Sequence, residues 1–500
     1  MELITETYKS KIACVLSCYD RLILSGTIPE ISYGQGMTNY MYQKEIKIFD
    51  YPKFAEPFKE VIRANAERLS NEHGIDIEFI RKSGVRKESI ISEKIAKRGT
   101  HPGIVHIISA METCNTYKPW HDKTTGKTFL KIDQSKCLHY YFYFIDEQVG
   151  LGYVRVPTWC PFRLQVYING HNLLATELKQ AGIKYTMIDN AFDSIEDVAN
   201  AQELSDNISI EKLHRKLDEF AWQFCPVYKD FNLRYHWSVM QAEYATDVVF
   251  SKQDDLQRIY GELLATAIHT VKPDNIATFL GHKLDPRYEG EVGNNYHVRI
   301  EGSRIKHTMG SVSIKMYDKF SKILRIETTS NDISFFKHFR EVVHHDGTTS
   351  HEMAPLKKNI YSLSFLTDNL KASNKRYLEF ISAFDNKEVG RERLERVTSS
   401  KTENNRNYKG FNLFSKDDLI ILLAILRGEF NINGFRNKNM QKLLGFNGGK
   451  TSRLIKRLRV HGLIKKATDS YKYYLTKIGK ETIIMAQKIK ELVLVPAYCY

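Results

Sequence analysis

Tyr317 stands within Tyr296–Thr329, a stretch where apolar and polar residues alternate almost without a break. Val298 and Ile300 oppose Arg299 and Glu301. Ile314 and Met316 oppose Lys315 and Tyr317, and Leu324 and Ile326 oppose Arg325 and Glu327. A period of two predicts half-buried antiparallel strands. If the apolar set shares the core face, Lys315, Tyr317, Arg325 and Glu327 share the other, and Arg299 and Glu301 join them from a neighbouring strand. Phosphoryl transfer is the chemistry such a set could perform. A phenol with an ordinary pKa of about 10 becomes a nucleophile when cations or a metal stabilise its anion. Glu301, Glu327 and Asp318 are hard oxygen donors for a divalent ion, Mg²⁺ or Mn²⁺, and Lys315, Arg325 and Arg299 would clamp phosphoryl charge. The same alternation also describes a solvated sheet face of cross-strand ion pairs.

Met316-Tyr317-Asp318-Lys319, followed by Leu324-Arg325-Ile326-Glu327, resembles the Tyr-(Asn/Asp)-Lys … Arg-x-Glu pattern of rolling-circle replication initiators from staphylococcal plasmids and filamentous phages. The resemblance covers about fifty residues and implies Tyr317 as nicking nucleophile with Glu327 as a metal-binding acid. Thr278-Phe279-Leu280-Gly281 is similar to a Leu-Gly strand preceding that motif in the plasmid group. The His–hydrophobe–His triplet common among such nickases is absent. The chain as a whole resembles a bacterial mobile-element-type family.

Two further sets carry chemistry. Asp20, with Asp189 or with Glu243 and Asp247, could form a carboxylate metal site of the RNase H type. Glu243 and Asp247 are four apart, one turn if Gln241–Phe250 is helical. Val154–Gly170 interleaves Trp159, Phe162 and Tyr167 with Arg155 and Arg163, a composition that fills a core first, since Trp and Phe are normally buried, and that could also stack unpaired bases. No GxxxxGK[ST] loop occurs, so ATPase activity is not expected.

Elements must place these residues. Helical spacing at Phe54, Phe58, Val61, Ile62, Ala66 and Leu69 predicts a helix, and the runs 103–109, 138–145 and 152–156 predict strands. The C-terminus is the most readable part. Ser415 caps a helix carrying Leu419, Leu422, Leu423 and Leu426. A second helix spans Asn437–Leu444, and a third starts at Thr451 or Ser452 and buries Leu454, Ile455 and Leu458. A hairpin within 463–476 and a closing helix at 480–492 complete the order. The segment resembles the winged helix-turn-helix of MarR-like bacterial regulators, which implies that the third helix enters a major groove. Arg436, Lys450, Arg453, Lys456 and Arg457, with Lys465, Lys466 and Lys472 on the wing, would then contact DNA, and Arg155, Trp159 and Arg163 would contact an unpaired strand.

Charge and composition bound the rest. The 500 residues carry a net charge of +14, and between Phe411 and Lys480 fifteen lysines and arginines face four acids. A surplus concentrated in this way suggests a polyanionic partner. Seven scattered cysteines without a CxxC pair argue for a reducing compartment and against a disulfide frame. The polar N-terminus and the lack of a long apolar run predict a cytoplasmic protein without a membrane partner. The expected fold class is α+β: a mixed α/β N-terminal region with an antiparallel sheet, and a C-terminal winged helix. The expected segments are 1–225, 226–385, a polar linker at 386–410, and 411–500. Three functional readings remain open. One is a metal-dependent strand-nicking protein of a replicon or mobile element. The others are a non-enzymatic, winged-helix, ligand-sensing or dimeric regulator and an RNA-binding or RNA-guided element protein. An oligomer is compatible with each.

Overall fold

The computed structural model describes residues 3–81, 84–227, 231, 234–284, 288–299, 302–344, 346–382, 394–427, 430, 434–467 and 470–490. The fold is mixed α and β. Two compact units interleave in sequence: Ala13–Val249 with Glu327–Lys371, and Met1–Ile12 with Phe250–Ile326 and Ala372–Tyr500. The expected consecutive division at 225/226 differs from this, because sheet neighbours come from distant parts of the chain.

The first unit is built on β1 (Ile12–Thr27), β2 (Ile77–Ile80), β3 (Gly103–His121), β4 (Thr128–Asp146), β5 (Gly150–Pro157) and β6 (Leu164–Asn169). A small hairpin, β7 (Tyr185–Met187) and β8 (Phe192–Ile195), precedes the long β9 (His236–Phe250). Spatial order runs β9-β1-β6-β5-β4-β3-β2. β1 with β6, β6 with β5, β5 with β4 and β4 with β3 run antiparallel, whereas β2 lies parallel to β3. The predicted strands at 103–109, 138–145 and 152–156 are thus parts of β3, β4 and β5.

Its helices are α1 (Tyr51–His73), α2 (Lys87–Arg98), α3 (Gly170–Gln180), α4 (Val198–Asp206) and α5 (Ile210–Phe224). The aromatic run of β4 explains how they cover the sheet. Phe142 stacks on Phe224 of α5 at 4.9 Å, and Phe144 lies 4.5 Å from Phe220. On the opposite face Tyr141 and Tyr143 join Ile91 of α2 in a second cluster. Successive side chains point to opposite faces, so an all-aromatic strand is filled on both sides.

In the second unit, β10 (Val292–Arg299), β11 (Gly302–Met309) and β12 (Val312–Lys319) form an antiparallel meander. β13 (Ile323–Ser330) begins here, and from Glu327 onward it belongs to the first unit, beside β9. Two helices accompany the meander: α6 (Gln253–Thr270) and α7 (Pro273–Phe279). The Thr278–Gly281 segment expected as a strand is the end of α7. Pro273 occupies its first turn, the Asn275 side chain accepts the Lys272 N–H, and Phe279 packs edge-on against Tyr377 at 5.0 Å. The hairpin β14 (Lys337–Val343) and β15 (Thr349–Pro355) follows in the first unit, and α8 (Leu363–Ile381), which carries Tyr377, comes next in the chain.

The expected linker is ordered over its described part. A helical turn at 394–398 and the hairpin β16 (Lys401–Glu403)–β17 (Arg406–Tyr408) lead to Gly410, where a Cβ would stand 1.8 Å from the Thr398 carbonyl oxygen. Next come α9 (Lys416–Ile425), α10 (Asn437–Leu444), α11 (Gly448–Val460), the pair β18 (Ile464–Lys466)–β19 (Tyr473–Leu475) and α12 (Lys477–Ile489). Val397, Phe411, Leu422, Ile425, Met440, Leu458 and Ile483 close one core over these elements. The cap of α11 is Asn447, which accepts from the Lys450 N–H at 2.9 Å, rather than Thr451 or Ser452.

Candidate metal centre

β1, β9 and the second half of β13 are successive neighbours. Each contributes one acid to a common point: Asp20, Glu243 and Glu327 present oxygens that all lie within 4.8 Å of one another. All three acids belong to the first unit. The Asp20 and Glu243 side chains are 13% and 12% exposed, and Glu327 is 2% exposed. Arg21 Nε lies 3.9 Å from Glu243, and Gln241 donates to Glu243 at 3.2 Å. Thr329 donates to Glu327 at 3.4 Å, and Asn190 to Asp20 at 3.3 Å. Two carboxylates at such separation repel by roughly 3 kcal/mol at an effective dielectric near 20. Oxygens sharing one divalent ion at about 2.1–2.6 Å stand at most roughly 4–5 Å apart. The donor set therefore fits a hard divalent cation held by Asp20, Glu243 and Glu327.

Around this trio the backbone is shaped for close approach. α3 starts at Gly170, where a Cβ would meet the Tyr19 carbonyl oxygen at 2.0 Å. Only a glycine lets the helix begin this close to β1. Asn169 caps the helix by accepting from the Asn172 N–H. His171, next in the chain and 1% exposed, has Nδ1 3.1 Å from Asp20 Oδ1 and Nε2 3.4 Å from Asp247 Oδ2.

The RNase H-type expectation thus placed Asp20 and Glu243 correctly in one cluster and erred on Asp247. Gln241–Phe250 is strand, where four residues span about 13 Å. Asp247 shares a face with Glu243, and His171 lies between it and Asp20. Asp189 is exposed, and its neighbour Asn190 makes the contact. His171 was missed. Its available signal was the strand–Asn-Gly-His–helix junction at 168–172.

The alternating face around Tyr317 is divided. Tyr317 and Lys315 are half-buried on one face of β12, opposite Arg304 and Lys306 of β11, two cations not anticipated there. Asp318 points the other way, 7% exposed, and accepts from Gln257 of α6 at 3.3 Å. Burial pushes its carboxyl pKa up. As a metal ligand beside Tyr317 it is ruled out by strand alternation. Arg325 and Glu327 do not face water, since all eight residues of β13 are buried. Glu301 lies outside the described residues, as does the side chain of Arg299.

Among the expected nucleic-acid contacts, Arg436, Lys450, Arg453, Lys465 and Lys466 are exposed, and Lys472 is half-buried. Arg457 serves the fold instead. It forms a bidentate pair with Asp418 at 2.9 and 3.0 Å, donates to the Lys409 and Gly410 carbonyls, and lies 3.8 Å over the Phe411 ring. Lys456 pairs with Glu403 of β16. Arg155 is ion-paired to Glu112 at 2.9 Å, and Trp159 donates to Thr116 at 2.8 Å, so both are tied into the sheet. Arg163 alone of that trio is exposed.

The chain matches no protein-family model, no curated protein and no solved structure, so the site is read from geometry alone. Among the described residues no helix is long and apolar enough to cross a membrane.

Proposed function

We propose that the protein cleaves nucleic-acid phosphodiesters with a divalent ion held by Asp20, Glu243 and Glu327, and that its C-terminal elements form a winged helix that grips duplex DNA. The convergence of three carboxylates, one buried and two half-buried, from three adjacent strands carries this reading. A divalent ion bound there polarises a phosphodiester and makes its water more acidic. The three acids hold it, and the surrounding sheet limits access of bulk water. Arg436 at the start of α10, Lys450 and Arg453 on α11, and Lys465 and Lys466 on β18 supply a cationic surface for phosphates.

Tyr317 supports a second route within the same reading. With Lys315 beside it and Arg304 and Lys306 across the ladder, its anion would be stabilised and could attack a strand covalently. Incubation with labelled single-stranded and duplex DNA in Mg²⁺ or Mn²⁺ tests both routes. Cleavage should fall at least 100-fold in Asp20→Asn and Glu327→Gln. A covalent adduct absent in Tyr317→Phe marks the tyrosine route, and cleavage without an adduct marks hydrolysis. Full activity in Asp20→Asn, or none in the wild type, refutes the proposal.

A further inference from the structure

We infer that His171 is a positioning residue for the carboxylate centre: its imidazole spans Asp20 and Asp247 and fixes which Asp20 oxygen faces Glu243 and Glu327. The inference rests on reading the trio as a divalent-cation site. Three elements hold the ring. Its backbone is set by the first turn of α3, where Gly170 abuts the Tyr19 carbonyl and Asn169 caps the helix. Its plane lies against Phe192 of β8, with ring centroids 6.0 Å apart. Its nitrogens stand 3.1 Å from an oxygen of Asp20 on β1 and 3.4 Å from an oxygen of Asp247 on β9. With a carboxylate oxygen 3.1 Å from one nitrogen and 3.4 Å from the other, the buried ring cannot turn about χ2 without losing both approaches.

The division of labour along β9 follows. Glu243 faces the shared point directly. Asp247, about 13 Å further on the same face, approaches the imidazole and helps hold the ring so that the ring can hold Asp20. With one oxygen engaged by His171, Asp20 presents the other toward Glu243 and Glu327. Such outer contacts typically change metal affinity by about 10- to 100-fold when removed.

Mn²⁺ titration of the full chain by calorimetry, with the electron paramagnetic resonance spectrum of the bound ion, tests this. Asp20→Asn should abolish binding. His171→Gln, whose amide can reach one carboxylate but not both, should keep one site, weaken it about 10- to 100-fold, and alter the spectrum. Asp247→Asn should weaken binding in the same direction, and the double variant should be no weaker than His171→Gln, since both act through one link. Wild-type affinity and spectrum in His171→Gln and Asp247→Asn, with binding lost in Asp20→Asn, would overturn the positioning role and leave the metal site standing. Absence of Mn²⁺ binding in the wild type would remove the site itself.

Discussion

At the centre of the first unit, the charges on residues 20, 243 and 327 are interdependent. Each ionised pair at that separation would repel by roughly 3 kcal/mol, a cost that an ion held there, as proposed, would relieve. Glu243→Gln keeps the shape and removes two of those repulsions, while also giving up charge pairing such as the 3.9 Å approach of Arg21. With EDTA the variant should melt higher than the wild type, by about 1–3 kcal/mol in stability. With Mn²⁺ the order should reverse, because only the wild type gains binding energy. Melting curves with and without the ion check this, and a variant less stable than wild type in EDTA would contradict it. Asp20, Glu243 and Glu327 could each be singled out as candidate ligands from their local settings. What local pattern could not supply was the joining of Glu327 to Asp20 and Glu243, because nothing near Asp20 announces that the strand carrying Glu327 will flank the same sheet region. Asp247 was misplaced for a simpler reason. Its segment, with Tyr244, Thr246, Val248 and Val249, has strand-forming composition, and reading it with a helical period brought 243 and 247 wrongly together.

Among the elements, α11 shows how one basic helix splits its arginines between fold and partner. Arg457 is bound bidentately by Asp418 across the core and donates to two carbonyls, while Arg453 on the same helix is exposed. Arg457→Ala leaves Asp418 partly buried without its main counter-charge and should destabilise the protein by about 2–4 kcal/mol. Arg453→Glu should leave the melting temperature within about 1 °C and weaken duplex DNA binding at least tenfold, with a shallower salt dependence. Calorimetry and fluorescence anisotropy separate the two, and an exchange of these phenotypes would invert the assignment. Helix order was readable here because α9, α10 and α11 carry leucines at helical spacing between glycines. Residues 394–410 were not, since β16 and β17 bury none of their side chains and, among the described residues of that stretch, Leu394 and Val397 supply its apolar contacts with the core. Thr278–Gly281 misled because four residues show no period, whereas Pro273 five positions upstream already favours a helix start.

Over the whole molecule, acid sensitivity follows from groups in both units. Burial, aided by Arg155, holds His139 down to about 4, and burial holds His307 down to about 3. Burial pushes Glu112 up, but hydrogen bonds from Lys87 and Tyr141 and the charge of Arg155 outweigh it and bring it to about 2. All three bind protons less readily folded than unfolded, so stability is lost as pH falls. The histidine part is complete above about 6.5 and disappears between there and about 3; the Glu112 part disappears between about 4.5 and 2. Melting temperature should be nearly flat from pH 7 to 8 and fall steeply below 6.5, with a shallower slope between 6.5 and 4 in His139→Gln. An unchanged slope in that variant would remove His139 from the account.

The crossings of the chain between its two units have a consequence for synthesis. Ribosomes deliver Asp20 early, Glu243 near mid-length and Glu327 later still, after Phe250–Ile326 has been committed to the other unit. A nascent or prematurely terminated polypeptide lacking residue 327 therefore carries two of the three acids and cannot assemble the trio.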